Sequence, residues 1–140
     1  MSEFFPIVIH HNPECETSRN VVGIVEAAGY TSTLIHYLDI GWTKPQLLAL
    51  FAAAGLTPRT ALRTSKSPAH ELGVTAPDVT DEAILEAMIA HPILVNRPIV
   101  ATPLGVRLCR PSESVLALLK IPAQVSANTE TVNDAAMIGS

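Results

Sequence analysis

Residues 5–19 read FPIVIHHNPECETSR, and this stretch decides the fold. Its apolar start is typical of a buried strand, and the polar residues after His10 are typical of a loop. Apolar residues at helical spacing begin near Ser18, so Cys15 lies in the loop at the start of a helix, where we expect it to be exposed. A helix N-terminus carries unpaired N–H groups and roughly half a positive charge, which favour a thiolate and can bind an oxyanion. Cys15 is therefore a candidate nucleophile, and the alternative is a small buried apolar side chain.

The pattern outside this stretch predicts a βαβ unit, a helical segment and a β-hairpin. Gly29 ends the first helix, and the next alternating segment predicts a strand parallel to the first. Thr43-Lys44-Pro45-Gln46 is a capping box, and Thr80 caps another helix. The turn Thr102-Pro103-Leu104-Gly105 predicts the hairpin. The predicted strands are Pro6–His10, Ser32–Tyr37, Pro98–Ala101 and Val106–Cys109; the predicted helices are Ser18–Ala28, 43–54, Asp81–Ala90 and 111–119, with a short helical turn at Leu56–Lys66.

Composition excludes several classes of function. The 140 residues are 48% hydrophobic, enough for one domain with a core. A net charge of -4 gives no general attraction to nucleic acid, and no apolar run approaches the roughly 20 residues of a membrane span. The histidine spacing matches no zinc motif, so we expect no metal. Two cysteines without a secretion signal favour the reducing cytoplasm.

Arginine is the second candidate functional residue type. Arginine binds two oxygens of a tetrahedral oxyanion through its planar fork, whereas an isolated arginine is more often a solvated surface residue. Arg97 interrupts an otherwise apolar stretch, so its charge must reach a cleft or a partner. The arginines near predicted turns or helix ends are Arg19, Arg63, Arg97, Arg107 and Arg110.

The residues around Cys15 indicate the type of thiol chemistry. Cysteine phosphatases place five residues between cysteine and arginine, and only three separate Cys15 from Arg19, so we set that class aside. Cys15-Glu16-Thr17-Ser18 is a dithiol motif whose second cysteine is serine, which predicts monothiol chemistry resolved by an external thiol. Glu16 should raise the pKa of the thiol and repel an anion.

Four blocks resemble the glutaredoxin-dependent arsenate reductases. They are HNPECETSRN (11–20), IHYL (35–38), HPILVNRPIV (91–100) and TPLGVRLCRPSE (102–113), and the likeness covers about residues 6–120. The resemblance implies an α/β fold with a thioredoxin-like mixed sheet. It implies one catalytic domain over residues 1–122 with a helical insertion at about 43–91. Residues 123–140, which lack a recognisable pattern, would be a loose tail.

The same resemblance implies roles for individual residues. Cys15 would be the nucleophile, and His11 would help to keep it ionised. Pro98 would be a cis-proline facing the cysteine. The oxyanion would be bound by Arg63, Arg97 and Arg110. The supporting loop residues would be Asn12, Thr17, Ser18 and Arg19.

The implied function is cytoplasmic reduction of arsenate to arsenite, with glutathione as co-substrate, glutaredoxin as partner and no bound cofactor. One alternative is a related thiol oxidoreductase with another substrate, which Glu16 supports. The other is a non-enzymatic redox-responsive interaction protein. Such proteins usually carry two cysteines in the loop, so Ser18 argues against this alternative.

Overall fold

Four short strands form a mixed sheet in a computed structural model that describes residues 5–120. The strands are β1 (Val8–His10), β2 (Thr33–Ile35), β3 (Ile99–Thr102) and β4 (Gly105–Leu108), in the order β2-β1-β3-β4. β1 is parallel to β2 and antiparallel to β3, and β3 and β4 form the hairpin. Helix α1 (Glu16–Ala27) joins the parallel pair, which confirms the predicted βαβ unit. The expected tail over residues 123–140 lies outside the described residues.

The sheet separates two apolar layers because successive strand residues face opposite sides. Ile9 and Val100 face the layer that contains α1 and a 3₁₀ helix, Ser112–Leu118. Ile99 faces the layer built by the insertion. Both layers bury side chains completely, so the sheet is a fixed platform and the ends of its strands are held in place.

The insertion is the segment between β2 and β3, and it extends beyond the expected 43–91. It comprises α2 (Tyr37–Ile40), α3 (Lys44–Ala54), α4 (Asp81–Ala90) and a 3₁₀ turn, Pro92–Leu94. The capping box is confirmed: the Gln46 N–H donates to Thr43 Oγ1 at 3.3 Å, and the Thr43 N–H donates to Gln46 Oε1 at 3.3 Å. Gly55 ends α3 with φ at +71°, a conformation that favours glycine. Thr80 caps α4 through the Ala83 N–H at 3.1 Å.

The predicted second strand, Ser32–Tyr37, is too long. It ends at Ile35, and Tyr37 begins α2, where the Asp39 N–H donates to the His36 carbonyl at 3.0 Å. The ring of Tyr37 stacks on Trp42, with centroids 4.9 Å apart. Packing of this ring therefore overrides the alternation that suggested a strand.

The short helical turn predicted at Leu56–Lys66 is mostly wrong. One turn forms, in which the Ala61 N–H donates to the Thr57 carbonyl at 2.9 Å. Leu62 then forms a β-bridge with Val95, and the Arg63 N–H donates to the Leu94 carbonyl at 2.7 Å. This long-range pairing carries Arg63 to the end of the sheet.

The last predicted helix is 3₁₀ rather than α-helical. Its hydrogen bonds span three residues, as from the Ser114 N–H to the Pro111 carbonyl at 3.0 Å. Other boundaries shift by one or two residues. β1 starts at Val8 instead of Pro6, α1 starts at Glu16 instead of Ser18, and the hairpin strands are β3 and β4 as given above.

The burial of His10 predicts that the free energy of unfolding falls in acid. It is 4% exposed, and its Nδ1 has no hydrogen-bond partner within residues 5–120. Burial lowers the pKa of His10 to about 4, against ~6.5 in an unfolded chain. The unfolded state therefore takes up the proton first as the pH falls, so stability is complete above ~6.5 and lost towards ~4. We expect a loss of about 2 kcal/mol by pH ~5.

Urea unfolding at neutral pH and at pH ~5 measures this loss. The variant His10→Phe keeps a flat ring and removes the titrating nitrogen. Its unfolding free energy should vary much less over the same window. An equal pH dependence in both proteins would assign the effect to other groups.

Candidate active site

The loop between β1 and α1 is fixed by hydrogen bonds around Asn12. The Asn12 carbonyl accepts the Cys15 N–H at 3.0 Å, and its side-chain oxygen accepts the Glu14 N–H at 2.9 Å. The Asn12 N–H donates to Ser18 Oγ at 3.1 Å. The loop is therefore closed on itself and attached to the first turn of α1, as asparagine commonly does in turns.

Cys15 is the N-cap residue of α1. Its backbone is extended, with φ -98° and ψ 123°, and its carbonyl accepts the Arg19 N–H at 3.0 Å. The side chain is only 6% exposed, so the expectation of an exposed cysteine is wrong. Burial follows because side chains distant in the sequence cover the sulfur.

Two arginines from the hairpin region cover this sulfur. Arg97 Nε donates to Cys15 Sγ at 3.1 Å, and Arg110 Nη1 donates to it at 3.9 Å. Arg110 Nη1 also donates to the Arg97 carbonyl at 3.0 Å. Asn96 Oδ1 accepts from the Arg97 N–H at 3.1 Å and from Arg97 Nη1 at 3.2 Å. The Arg97 guanidinium is thus held at both ends.

Arg63 enters the same site from the insertion. Its side chain is 6% exposed, and Nε donates to the Ser65 carbonyl at 2.9 Å. Burial lowers the pKa of the Arg63 guanidinium, and the charges of Arg97 and Arg110 lower it further. The Tyr37 hydroxyl and the Cys15 thiolate act on Arg63 in the opposite direction. The three arginines therefore share one electrostatic environment with the sulfur.

No carboxylate in the described part of the chain balances the positive charge of this cluster. Within residues 5–120, the ion pairs join Lys44 to Glu82 and Glu86, on the insertion. Among the described residues, Arg63 and Arg97 are buried without an acidic partner, which is costly unless another anion compensates. A thiolate supplies one negative charge, so the site retains a net positive charge that suits an oxyanion.

The environment of Cys15 stabilises its thiolate. Burial alone would raise the pKa of the thiol. The Ser18 backbone N–H, the charge and hydrogen bond of Arg97, and the hydrogen bond of Arg110 outweigh burial, so the pKa lies below its ordinary value. The Ser18 N–H acts at the helix N-terminus even though its geometry falls short of a full capping hydrogen bond.

His11 contacts Ser18 in the first turn of α1. Its Nδ1 lies 2.7 Å from Ser18 Oγ, and the same oxygen accepts the Asn12 N–H at 3.1 Å. Burial, then the charges of His36 and Arg19, lowers the pKa of His11. The structure thus places His11 against Ser18 in the first turn of α1, and a role of His11 in keeping Cys15 ionised stays a prediction.

The remaining loop residues lie at the edge of the site. Arg19 is exposed and donates from Nη1 to the Pro13 carbonyl at 2.9 Å, so it holds the loop. Thr17 is half-buried in the first turn of α1. Glu16 is exposed and is not among the groups that dominate the pKa of Cys15. The expected effect of Glu16 on the thiolate is therefore not supported.

Pro98 connects the arginines to the sheet. The Arg97–Pro98 peptide bond is cis, as the resemblance implied, and the Arg110–Pro111 bond is cis as well. The Pro98 carbonyl accepts the Cys109 N–H at 2.9 Å. Both site arginines of the hairpin thus precede a proline at the end of a strand.

Comparison with known proteins identifies the family. The sequence profile of the ArsC family matches residues 10–118. This chain belongs to the ArsC family. An arsenate reductase of Synechocystis sp. is 68% identical over 113 residues, which cover 81% of this chain and 81% of that protein. The arsenate reductase of Escherichia coli strain K12 is 48% identical over 113 residues, which cover 81% of this chain and 80% of that protein.

A solved structure confirms the thioredoxin-like α/β fold of this ArsC-family chain. The arsenate reductase from Vibrio cholerae matches with a TM-score of 0.78 at 33% identity, over 84% of this chain and 100% of that one. In the part of the ArsC-family chain that the structure describes, no helix is both long and apolar enough to cross a membrane. The same part holds no group of three or more His, Cys, Asp or Glu side chains placed to bind a metal.

Sequence reasoning missed two residues of the ArsC site. Asn96 orients Arg97. The sequence feature that could have revealed it is a polar residue beside Arg97 within an apolar run. Tyr37 contributes a buried hydroxyl near the arginines. It was missed because the sequence pattern assigned it to a strand. Arg107, a candidate by position, is exposed on β4 and pairs in the sheet with Val100.

Proposed function

We propose that this ArsC-family chain is an arsenate reductase that uses Cys15 as its nucleophile, glutathione as co-substrate and glutaredoxin as electron donor. The observation that carries the proposal is the 3.1 Å contact between Arg97 Nε and Cys15 Sγ. It places a guanidinium, a donor suited to oxyanions, beside a thiol whose pKa is lowered. The family relatives named arsenate reductase support the choice of arsenate among tetrahedral oxyanions.

The first step is condensation without a change in oxidation state. Arg63, Arg97 and Arg110 hold arsenate, and the Cys15 thiolate attacks arsenic. A thiol–arsenic bond forms while one arsenate oxygen leaves as water. Glutathione then attacks the same arsenic and displaces a second oxygen as water. The arginines stabilise negative charge that develops on the remaining oxygens.

The second step is the reduction. A glutaredoxin thiolate attacks the glutathione sulfur, and the electron pair of the sulfur–arsenic bond passes to arsenic. Arsenic(V) becomes arsenic(III), and glutaredoxin leaves as a mixed disulfide with glutathione. Water releases arsenite and restores the Cys15 thiolate. Both electrons thus come from external thiols, in agreement with Ser18 at the position of a resolving cysteine.

The proposed partners place this protein in the reducing cytoplasm, where glutathione and glutaredoxin operate. Both cysteines are free thiols. Since Glu16 is exposed and does not dominate the pKa of Cys15, the feature that favoured a substrate other than arsenate carries little weight.

A coupled assay tests the proposed function. NADPH consumption is measured with glutathione, glutathione reductase and glutaredoxin, with and without arsenate. We expect consumption to require all components and to equal the arsenite formed. NADPH consumption that is the same with and without arsenate would favour another substrate of the same thiol chemistry. No NADPH consumption under any condition would favour an interaction protein.

Cys109 provides the test of monothiol chemistry. It is fully buried, and burial raises the pKa of its thiol to about 11, so it is a poor nucleophile at neutral pH. Cys109→Ser should retain most arsenate reduction and lower the unfolding free energy by about 1–2 kcal/mol, since a hydroxyl replaces sulfur in an apolar layer. Urea unfolding and the coupled assay measure the two effects. Loss of turnover in a folded Cys109→Ser variant would contradict the scheme.

A further inference from the structure

Tyr37 is the first residue of α2 and its side chain is 1% exposed. Its ring is fixed against Trp42 at 4.9 Å and 27° between planes. Trp42 is itself anchored, because its Nε1 donates to the Pro92 carbonyl at 3.3 Å. The position of the Tyr37 hydroxyl is therefore set by the packing of the insertion.

This hydroxyl has no hydrogen-bond partner of normal geometry within residues 5–120. Buried polar groups are nearly always paired, and an unpaired one is costly. A buried hydroxyl without a partner at a fixed position is therefore a candidate ligand-binding group.

The groups around the hydroxyl are those of the active site. Arg97, Arg63 and the Cys15 sulfur act on it electrostatically, and the Asn12 side chain faces it. Asn12 acts to lower the Tyr37 pKa, as an amide N–H donated to the hydroxyl oxygen does. Within residues 5–120 the hydroxyl proton itself is therefore left without an acceptor.

We propose that the Tyr37 hydroxyl donates a hydrogen bond to an oxygen of the oxyanion held at Cys15, as a fourth donor beside the three arginines. The inference rests on the proposed function, since it names a further contact to the same substrate. Burial raises the pKa of Tyr37 to about 12, so the hydroxyl keeps its proton at neutral pH. A site lined by donors favours arsenate, whose oxygens accept hydrogen bonds, over neutral arsenous acid, whose hydroxyls must also donate.

The variant Tyr37→Phe removes only the hydroxyl, and Tyr30→Phe is the matched control. The Tyr30 hydroxyl donates to the Lys120 carbonyl, and its ring packs on Phe5, away from the arginines. Two readouts are compared: the kinetic constants for arsenate, and the arsenate concentration that half-protects Cys15 from iodoacetamide. Thermal unfolding without arsenate reports on the fold.

For Tyr37→Phe we expect the arsenate KM and the half-protecting concentration to rise about 10- to 100-fold, the range for a hydrogen bond to a charged group. The melting temperature should stay unchanged or rise, because an unpaired polar group is lost. Tyr30→Phe should leave both arsenate readouts unchanged. Unchanged arsenate readouts in Tyr37→Phe would overturn the inference. Raised arsenate constants together with a lower melting temperature would also overturn it, because the loss would then reflect the fold.

The protection readout separates this inference from the proposed function. If arsenate protects wild-type Cys15 but no turnover occurs, the reductase assignment fails, and the shift in protection still decides the role of Tyr37. If the wild type turns over and Tyr37→Phe behaves identically, only the role of Tyr37 fails. An absence of protection in the wild type would overturn both.

Discussion

Replacing Cys15 with serine should abolish arsenate reduction, lowering turnover at least about a thousand-fold. A serine hydroxyl stays protonated at neutral pH and cannot form the thiol–arsenic bond from which arsenic is reduced. The coupled NADPH assay measures the loss. Cys109→Ser, which changes the other buried thiol, is the matched control and should remain active.

The fold of Cys15→Ser should persist, with an unfolding free energy within about 1 kcal/mol of the wild type. This expectation rests on helix capping, because Cys15 is buried and its exposure cannot be the reason. Serine loses the sulfur–arginine contacts, but it is a good N-cap residue that can accept an N–H of the first turn of α1. Turnover of Cys15→Ser near the wild-type rate would show that Cys15 is not the nucleophile.

The second large effect is expected for Arg97→Lys, which should lower kcat/KM for arsenate about 100-fold or more. Lysine keeps the charge but has no Nε to donate to Cys15 Sγ while a second nitrogen binds Asn96 Oδ1. Arg110→Lys should lose less, because Arg110 is exposed and its contact with the sulfur is 3.9 Å.

Arg107→Lys is the control for charge on the same hairpin. Arg107 is exposed on β4, so its replacement should leave the kinetics near wild type. Steady-state kinetics of the three arginine variants give the order of effects. An Arg97→Lys enzyme as active as Arg107→Lys would contradict a two-point role for the Arg97 guanidinium.

Local patterns predicted the elements that local interactions determine. The apolar run before His10, the glycine after α1 and the capping box at Thr43 each leave a signature within a few residues. These signatures sufficed for the parallel pair, the insertion helices α3 and α4, and the hairpin. They failed where distant packing decides the backbone, as at Tyr37, which stacks on Trp42, and at Leu62, which pairs with Val95.

The site was only partly predictable for the same reason. Helix-start chemistry pointed to Cys15, but its burial depends on Arg97 and Arg110, which lie far along the chain. Position near turns alone also selected Arg19 and Arg107, which the structure places outside the cluster. Family resemblance selected the three arginines that share one environment. Neither approach found Asn96 or Tyr37, because their roles arise from contacts with side chains brought together by folding.

Ionisation of Cys15 is the property on which the account depends. A folded pKa below the unfolded value means that the thiolate contacts stabilise the fold fully above the free-thiol pKa of ~8.5. That stabilisation is lost as the pH falls through the folded value. Activity should show the same dependence on the acidic side, because the nucleophile is the thiolate.

The most direct test is an ultraviolet titration of the thiolate, taken as the difference between wild type and Cys15→Ser. This absorbance does not require a reagent to reach the buried sulfur. The account predicts an inflection clearly below the ~8.5 of a free thiol, and a higher inflection in Arg97→Lys. An inflection at or above the free-thiol value in the wild type would contradict the account, because Arg97, Arg110 and the start of α1 would then fail to stabilise the Cys15 thiolate.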